Sequence, residues 1–300
     1  MTLSLITGGA GFIGSNLADQ LLAMGHKVTV VDNEYSDAHD QFYWNENTYN
    51  VNCDIRDYKA LKNCMHGVDY VFHFAAEARI QPAIKNPIEA VSINSLGTCT
   101  VLQCAREAGV KKVMYSSTSA GYGLNPYPNV ETQPDDCLNP YSVSKVNGEK
   151  LCKMYTDLYG LKTVIFRYFN VYGDRQPLRG QYAPVIGIFL RQLAAGEPLT
   201  IVGDGEQRRD FVHVSDVCNA NIMAAISNPD EDAYGQIYNI GCGVNYSINQ
   251  IANMISDKQV SLPERPGESR VTKANTEKVR KTFGWKPQID LQDWIIANVF

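Results

Sequence analysis

Three glycines, Gly8, Gly11 and Gly14, follow the first apolar run of this chain, and they constrain its fold more than any other feature. Leu3 to Thr7 reads as a short β-strand, Phe12 to Met24 carries helical periodicity, and Lys27 to Val31 is a second apolar, β-branched run. Glycines at that junction permit the tight turn of a β-α-β unit. The rhythm recurs: Tyr70 to Phe74, Lys112 to Tyr115 and Thr163 to Arg167 read as strands, and Pro87 to Ala108 and Tyr141 to Tyr159 as helices. Alternating strands and long helices predict an α/β fold, a doubly wound parallel sheet covered on both faces. After Asn170 the rhythm breaks into a loop rich in Gly, Pro and Arg, then a helix near Pro184 to Ala195. The expected organisation is a main lobe of residues 1–168 plus about 211–245, and a smaller, discontinuous lobe of about 169–210 and 246–300.

Bulk properties narrow the function classes. A chain of 300 residues that is 44% hydrophobic can bury a large core. Its net charge of -5 comes from interspersed acids and bases, so no basic arm or patch points to nucleic acid. The N-terminus lacks a cationic leader, and no stretch reaches the roughly 18 apolar residues of a membrane span. A cytoplasmic protein with neither nucleic acid nor membrane as partner is expected. The eight cysteines form no C-x-x-C pair and stand at no zinc-ligand spacing with histidine, which predicts reduced thiols and no metal site.

The spacing G-x-x-G-x-x-G lets backbone N–H groups approach a pyrophosphate at a helix N-terminus, the Rossmann-like mode of dinucleotide binding. Gly8, Gly11, Phe12, Ile13 and Gly14 form that turn. Asp32 closes the second strand 18 residues after Gly14, where its carboxylate accepts both ribose hydroxyls and repels a 2′-phosphate. The neighbours Asn33, Glu34 and Tyr35 offer no cation, so NAD is favoured over NADP. Asp54 and Ile55 sit where an adenine edge could be met; a helix N-cap at Asp54 or Asp57 reads equally well.

Tyr141 and Lys145 lie one helical turn apart on a helix that Asn139-Pro140 could start. A nearby ammonium, helped by a nicotinium ring, favours phenolate and makes tyrosine a usable base near neutral pH. The hydroxyl-rich turn Ser116-Ser117-Thr118-Ser119 precedes them.

With these motifs in order, the chain resembles the extended short-chain dehydrogenase/reductase superfamily, specifically its nucleotide-sugar epimerases and dehydratases. Asn94-Ser95-Leu96-Gly97-Thr98, His73-Phe74-Ala75-Ala76 and Arg167-Tyr168-Phe169-Asn170-Val171-Tyr172-Gly173 are similar to family segments in the same sequence order. The resemblance implies that Thr118 bonds the substrate hydroxyl, that Tyr141 is the base, and that Lys145 holds the nicotinamide ribose. It adds Ala75 and Asn94 to the cofactor set, with Asn94 supporting the catalytic helix, and Asn170 to the substrate set. Arg209, ending Gly205-Glu206-Gln207-Arg208-Arg209, implies a grip on the diphosphate of a sugar nucleotide, with a UDP-sugar favoured. Arg265 and Glu268 resemble an R-x-G-D pair for phosphate and ribose, with Glu replacing the commoner Asp. Thr272, seven residues after Arg265, falls where the family's 4-epimerases place a residue beside the C2 substituent. A small side chain there implies room for an N-acetyl group. Family members also pair as homodimers through two helices of each subunit, here Pro87 to Ala108 and Tyr141 to Tyr159, with Val91, Leu102, Leu151 and Tyr155 on their apolar faces.

Dehydratases and decarboxylases of this family carry a carboxylate one or two positions after the residue equivalent to Thr118. Ser119 and Ala120 stand there instead, which favours 4-epimerisation through a 4-keto sugar. A 4,6-dehydratase or decarboxylase is the alternative.

Overall fold

In the computed structural model, which describes residues 2–37, 39, 41–178, 184–264 and 269–299, the chain opens with β1 (Leu3–Thr7), α1 (Phe12–Ala23) and β2 (Lys27–Asp32). There follow β3 (Tyr49–Asn52), α2 (Tyr58–Cys64), β4 (Tyr70–His73), α3 (Ile80–Lys85), α4 (Pro87–Val91), α5 (Thr98–Ala108), β5 (Lys112–Thr118), α6 (Pro140–Tyr159) and β6 (Thr163–Tyr168). The chain then makes β7 (Asn170–Tyr172), α7 (Val185–Ala194), β8 (Leu199–Val202), β9 (Arg208–His213), α8 (Val214–Ile226) and β10 (Gln236–Ile240). It ends with β11 (Asn245–Ser247), α9 (Ile248–Ile255), β12 (Gln259–Leu262), α10 (Glu277–Phe283) and α11 (Leu291–Val299).

Seven strands pair in parallel in the order β10-β6-β5-β4-β1-β2-β3. The order reverses between β1 and β4, and doubly wound sheets bind ligands beyond the C-terminal strand ends at such a point. Apolar residues cover both faces. Ile6, Phe72, Met114 and Phe166 pack with α1 and α8, while Leu5, Val71, Val113 and Ile165 pack with α2, α5 and α6. Two small sheets, β11-β9-β7 and β12-β8, complete the strand pairing. Asp210 ties them to the main sheet: its buried carboxylate accepts N–H bonds from Cys242 (2.7 Å), Gly243 (2.9 Å) and Ala274 (2.9 Å).

The stretch Pro87 to Ala108 is not one regular α-helix. Ser92–Gly97 is wound as a π-helix between α4 and α5, a local widening often found at functional sites. The two helices named for pairing also turn differently from expectation. Leu102 and Tyr155 are buried in the cluster that covers the sheet and Leu151 is half-buried, whereas Val91 is exposed, as are Ile88, Leu96 and Val143. No helix among the described residues is long and apolar enough to cross a membrane.

Candidate active site

A cleft of about 530 Å³ opens at the C-terminal ends of the parallel strands. The glycine turn forms one wall. Gly8 has φ +68°, and a Cβ there would lie 2.6 Å from the Ala75 nitrogen; at Gly14 it would lie 2.3 Å from the Gly8 carbonyl oxygen. Gly11 differs, because its Cβ would meet nothing closer than 3.4 Å. Its missing side chain leaves room on the cleft side, as the close approach of a dinucleotide requires. Asp32 closes β2 with one oxygen accepting from the Ala10 N–H (3.1 Å) and the other from Glu34 (2.8 Å). Burial pushes its carboxyl up, and these backbone N–H groups oppose the shift. The residues present fit the adenosine and pyrophosphate of NAD.

Asn33, Asp54 and Ile55 also line this end of the cleft, with Phe12, Ile13 and Ala75. The helix cap before α2 is Asp57, whose carboxylate accepts from Lys59 and Ala60, so Asp54 is left to the cleft. There it meets a group that local sequence does not signal. Arg56 grips both Asp54 oxygens (3.0 and 2.6 Å) and reaches Glu89 at 3.0 Å. That grip holds the Asp54 carboxyl below its usual range.

Thr118, Tyr141 and Lys145 come together at the other end. Asn139 caps α6 in a capping box with Ser142, and Pro140 starts the helix, which fixes Tyr141 in its first turn. Thr118 ends β5, within hydrogen-bond reach of the Tyr141 hydroxyl, and also accepts from the Ala120 N–H at 3.1 Å. Lys145 is buried, with its ammonium 4.5 Å from the centroid of the Tyr115 ring, and the Tyr115 hydroxyl donates to the Lys145 carbonyl at 3.0 Å. Burial raises the phenol pKa of Tyr141, Thr118 opposes the rise and Glu77 adds to it.

Asn94 lies behind the site rather than in the cleft lining. Its amide accepts from the Glu77 N–H (2.9 Å), donates to the Glu77 carbonyl (3.0 Å) and donates to Ser144 Oγ (2.9 Å), which in turn donates to the Tyr141 carbonyl (2.9 Å). The π-helical turn thus steadies the catalytic helix. Below it, Thr7, His73 and Thr98 form a buried chain: His73 Nδ1 lies 2.6 Å from Thr7 Oγ1, and Nε2 lies 2.9 Å from Thr98 Oγ1. Burial, and secondarily Lys145, depress this imidazole to about 3, so it is neutral. Arg79 also lines the cleft, paired with Asp37 at 2.6 Å.

On the second-lobe side, Asn170, Arg209 and Thr272 line the cleft. Asn170 Nδ2 donates to the Asp210 carbonyl (2.7 Å) and lies 3.5 Å from Thr272 Oγ1, while the Thr272 N–H donates to the Arg208 carbonyl at 3.1 Å. The Arg209 guanidinium donates to the Arg208 carbonyl at 3.1 Å. Arg265 and Glu268 lie outside the described residues.

Lys145 carries a cost. Burial lowers its ammonium from the ordinary 10.5 to about 8. Between these values the unfolded chain holds more protons than the folded one, so the penalty is complete below pH 8 and fades toward pH 10.5. Lys145→Met is therefore expected to stabilise the ligand-free protein by about 2 to 3 kcal/mol at pH 7. The gain should fall to about a quarter of that at pH 10. Denaturant titrations at both pH values check this, and equal stabilities of the two proteins at pH 7 would refute it.

A model of the NAD dependent epimerase/dehydratase family matches residues 4–241. The chain is 35% identical to a UDP-glucose 4-epimerase of Mycolicibacterium smegmatis, covering 99% of this chain and 97% of that one. It is 40% identical to a UDP-N-acetyl-alpha-D-glucosaminuronate decarboxylase of Bacillus cytotoxicus, covering 86% and 83%. Its structure resembles that of a UDP-glucose 4-epimerase from Thermotoga maritima crystallised with UDP-glucose, with a TM-score of 0.92, 32% identity and coverage of 99% and 97%. The matched stretch reaches all seven strands of the large sheet, and the chain is an enzyme that belongs to the NAD-dependent epimerase/dehydratase family.

Proposed function

We propose that this enzyme inverts C4 of a UDP-hexose and accepts the N-acetylated sugars UDP-N-acetylglucosamine and UDP-N-acetylgalactosamine. One observation carries the choice of reaction: among the described residues that line the cleft, the only carboxylates are Asp32 and Asp54, both at the adenosine end. Beside Thr118 stand Ser119 and Ala120, so neither elimination of water nor loss of carbon dioxide has a carboxylate to move its proton.

In this reading Gly8, Gly11, Phe12, Ile13, Gly14, Asp32, Asn33, Asp54, Ile55 and Ala75 hold the cofactor. NAD, when bound, supplies the hydride acceptor at C4 and a positively charged ring near the phenol. Tyr141 takes the proton of the C4 hydroxyl and later returns it, Thr118 orients that hydroxyl, and Lys145 holds the ribose beside them. Arg209 grips the diphosphate, with Arg265 and Glu268 assigned alongside it. A keto sugar tethered only at its diphosphate can turn in so wide a cleft and present its other face. We assign residues 1–168 with about 211–245 to the cofactor lobe, and about 169–210 and 246–300 to the sugar-nucleotide lobe. Free thiols at all eight cysteines suit a cytoplasmic setting. The exposed apolar row Ile88, Val91, Leu96 and Val143 suits pairing with a second copy of this chain, for which a dimeric mass in light scattering is the expected result.

The test is incubation of the purified protein with UDP-N-acetylglucosamine, with UDP-glucose and with a UDP-hexuronic acid, which alone carries a carboxylate to lose, and separation of the products. An isomer of unchanged mass is expected; a product lighter by water or by carbon dioxide overturns the reading.

Thr272 supports the choice of sugar, being small, in the cleft wall and beside Asn170. A tyrosine there would fill the space left for an acetamido group. Thr272→Tyr should lower kcat/KM for UDP-N-acetylglucosamine by roughly 10- to 100-fold while sparing UDP-glucose. Loss of neither activity, or of both equally, would show that Thr272 is not the gate.

A further inference from the structure

We infer that Asp19, on the outer face of α1, clasps together the two segments that wall the cofactor cleft and so sets how long the dinucleotide stays bound. The inference rests on the NAD site described above, not on the choice of sugar. Asn16 and Asp19 are three residues apart and share one face of α1, the helix whose first turn is the glycine cradle. Asp19 divides its carboxylate between two partners. Oδ1 accepts from Asn45 Nδ2 at 2.7 Å, and Oδ2 accepts from Arg175 Nη2 at 2.6 Å.

Those partners come from different lobes. Asn45 belongs to the segment after β2, which is also bonded to the cradle itself through the Tyr43 N–H and the Ala10 carbonyl (2.8 Å). Arg175 belongs to the segment leaving β7. Its guanidinium lies 5.2 Å from the centroid of the Tyr43 ring, and Asn16 Nδ2 donates to the neighbouring Asp174 carbonyl at 2.9 Å. Arg175 has φ +66°, a left-handed conformation that a non-glycine residue keeps only where its surroundings impose it. The first segment sends His39 and Phe42 into the cleft wall, and the second sends Pro177. Removing one carboxylate therefore loosens both walls at once, at a place that touches neither sugar nor reacting atoms.

The test loads the full-length enzyme with a fluorescent NAD analogue, chases with excess NAD and reads the release rate. Asp19→Ala and Arg175→Ala should each release about 5- to 20-fold faster than the parent, the loss expected for a partly exposed ion pair plus a cation–aromatic contact. The double variant should release no faster than the faster single variant, because one clasp is broken either way. At saturating NAD, kcat should hold, so that only the NAD requirement rises. If Asp19→Ala proves poorly folded in a thermal melt, Asp19→Asn, which keeps the volume and an acceptor for Asn45, replaces it with the same expectation. Unchanged release in the singles, or fully additive effects in the double variant, overturns the clasp. Because release is read without any sugar nucleotide, a protein that releases as expected yet does not epimerise upholds the clasp and defeats only the assigned reaction.

Discussion

Tyr141→Phe is expected to lower kcat by about 100- to 10,000-fold, the usual contribution of a positioned general base. The fold and the bound cofactor should be untouched. The substitution removes one oxygen from a half-buried ring in the first turn of α6, and the capping box of Asn139 and Ser142 that holds this turn does not involve that oxygen. Burial raises the phenol pKa in this site, so the oxygen is a hydroxyl near neutrality and must be primed when cofactor and substrate are in place. Turnover by the variant should therefore be low at every pH rather than shifted to a different optimum. A pH profile of kcat with near-parental values anywhere between pH 6 and 9 would remove Tyr141 from the mechanism.

Glu149→Ala should cost about 3 to 5 kcal/mol of stability, the penalty for leaving one member of a buried ion pair without its partner. Arg167 is 1% exposed and forks onto Glu149 through Nε (2.8 Å) and Nη2 (2.6 Å), with Asp135 at 2.6 Å as a second acceptor. Ser117 also donates to Glu149, at 2.5 Å. The pair thus bolts the middle of α6 to β6 and to the residue next to Thr118, and stability and catalysis should fall together. Combining Glu149→Leu with Arg167→Met should recover most of the loss, since apolar side chains of similar size need no partner. Urea titrations of the two variants decide the matter. A loss under about 1 kcal/mol in Glu149→Ala would place the pair among interactions of little net worth.

Much of this architecture is legible in the sequence because it depends on local pattern. The β-α-β start, the glycine turn, Asp32 at the end of β2 and the Tyr141 and Lys145 spacing each follow from periodicity or from what a turn requires. What escapes are contacts between residues far apart in the chain. Glu77 meets Asn94 across 17 residues and Arg56 reaches Glu89 across 33, contacts that no local pattern marks. The π-helical turn at Ser92–Gly97 shifts the helical register without disturbing its apolar pattern, so Pro87 to Ala108 reads as a single helix and the supporting geometry of Asn94 stays hidden. The same difficulty sorts Leu102 and Tyr155 with Val91. The exposed sides of those helices also carry apolar residues such as Val91 and Val143, and composition alone does not say which apolar residues meet the sheet.

The late arrival of β10 bears on how this chain is made. β6, buried at all six residues, is flanked on one side by β5 and on the other by β10, whose pairing residues come some 70 positions later. At ordinary synthesis rates of about 5 to 20 residues per second, the ribosome spends about 4 to 14 s with that apolar edge uncovered. An open edge with its row of unpaired N–H and C=O groups is a template for pairing with another chain. The segments β7, α7, β8 and β9 are therefore made while the first sheet waits for its last strand, and their own partners β11 and β12 come later still. A chain cut after Tyr168 would carry most of the cofactor cradle and still behave as an aggregating fragment rather than as a separable module.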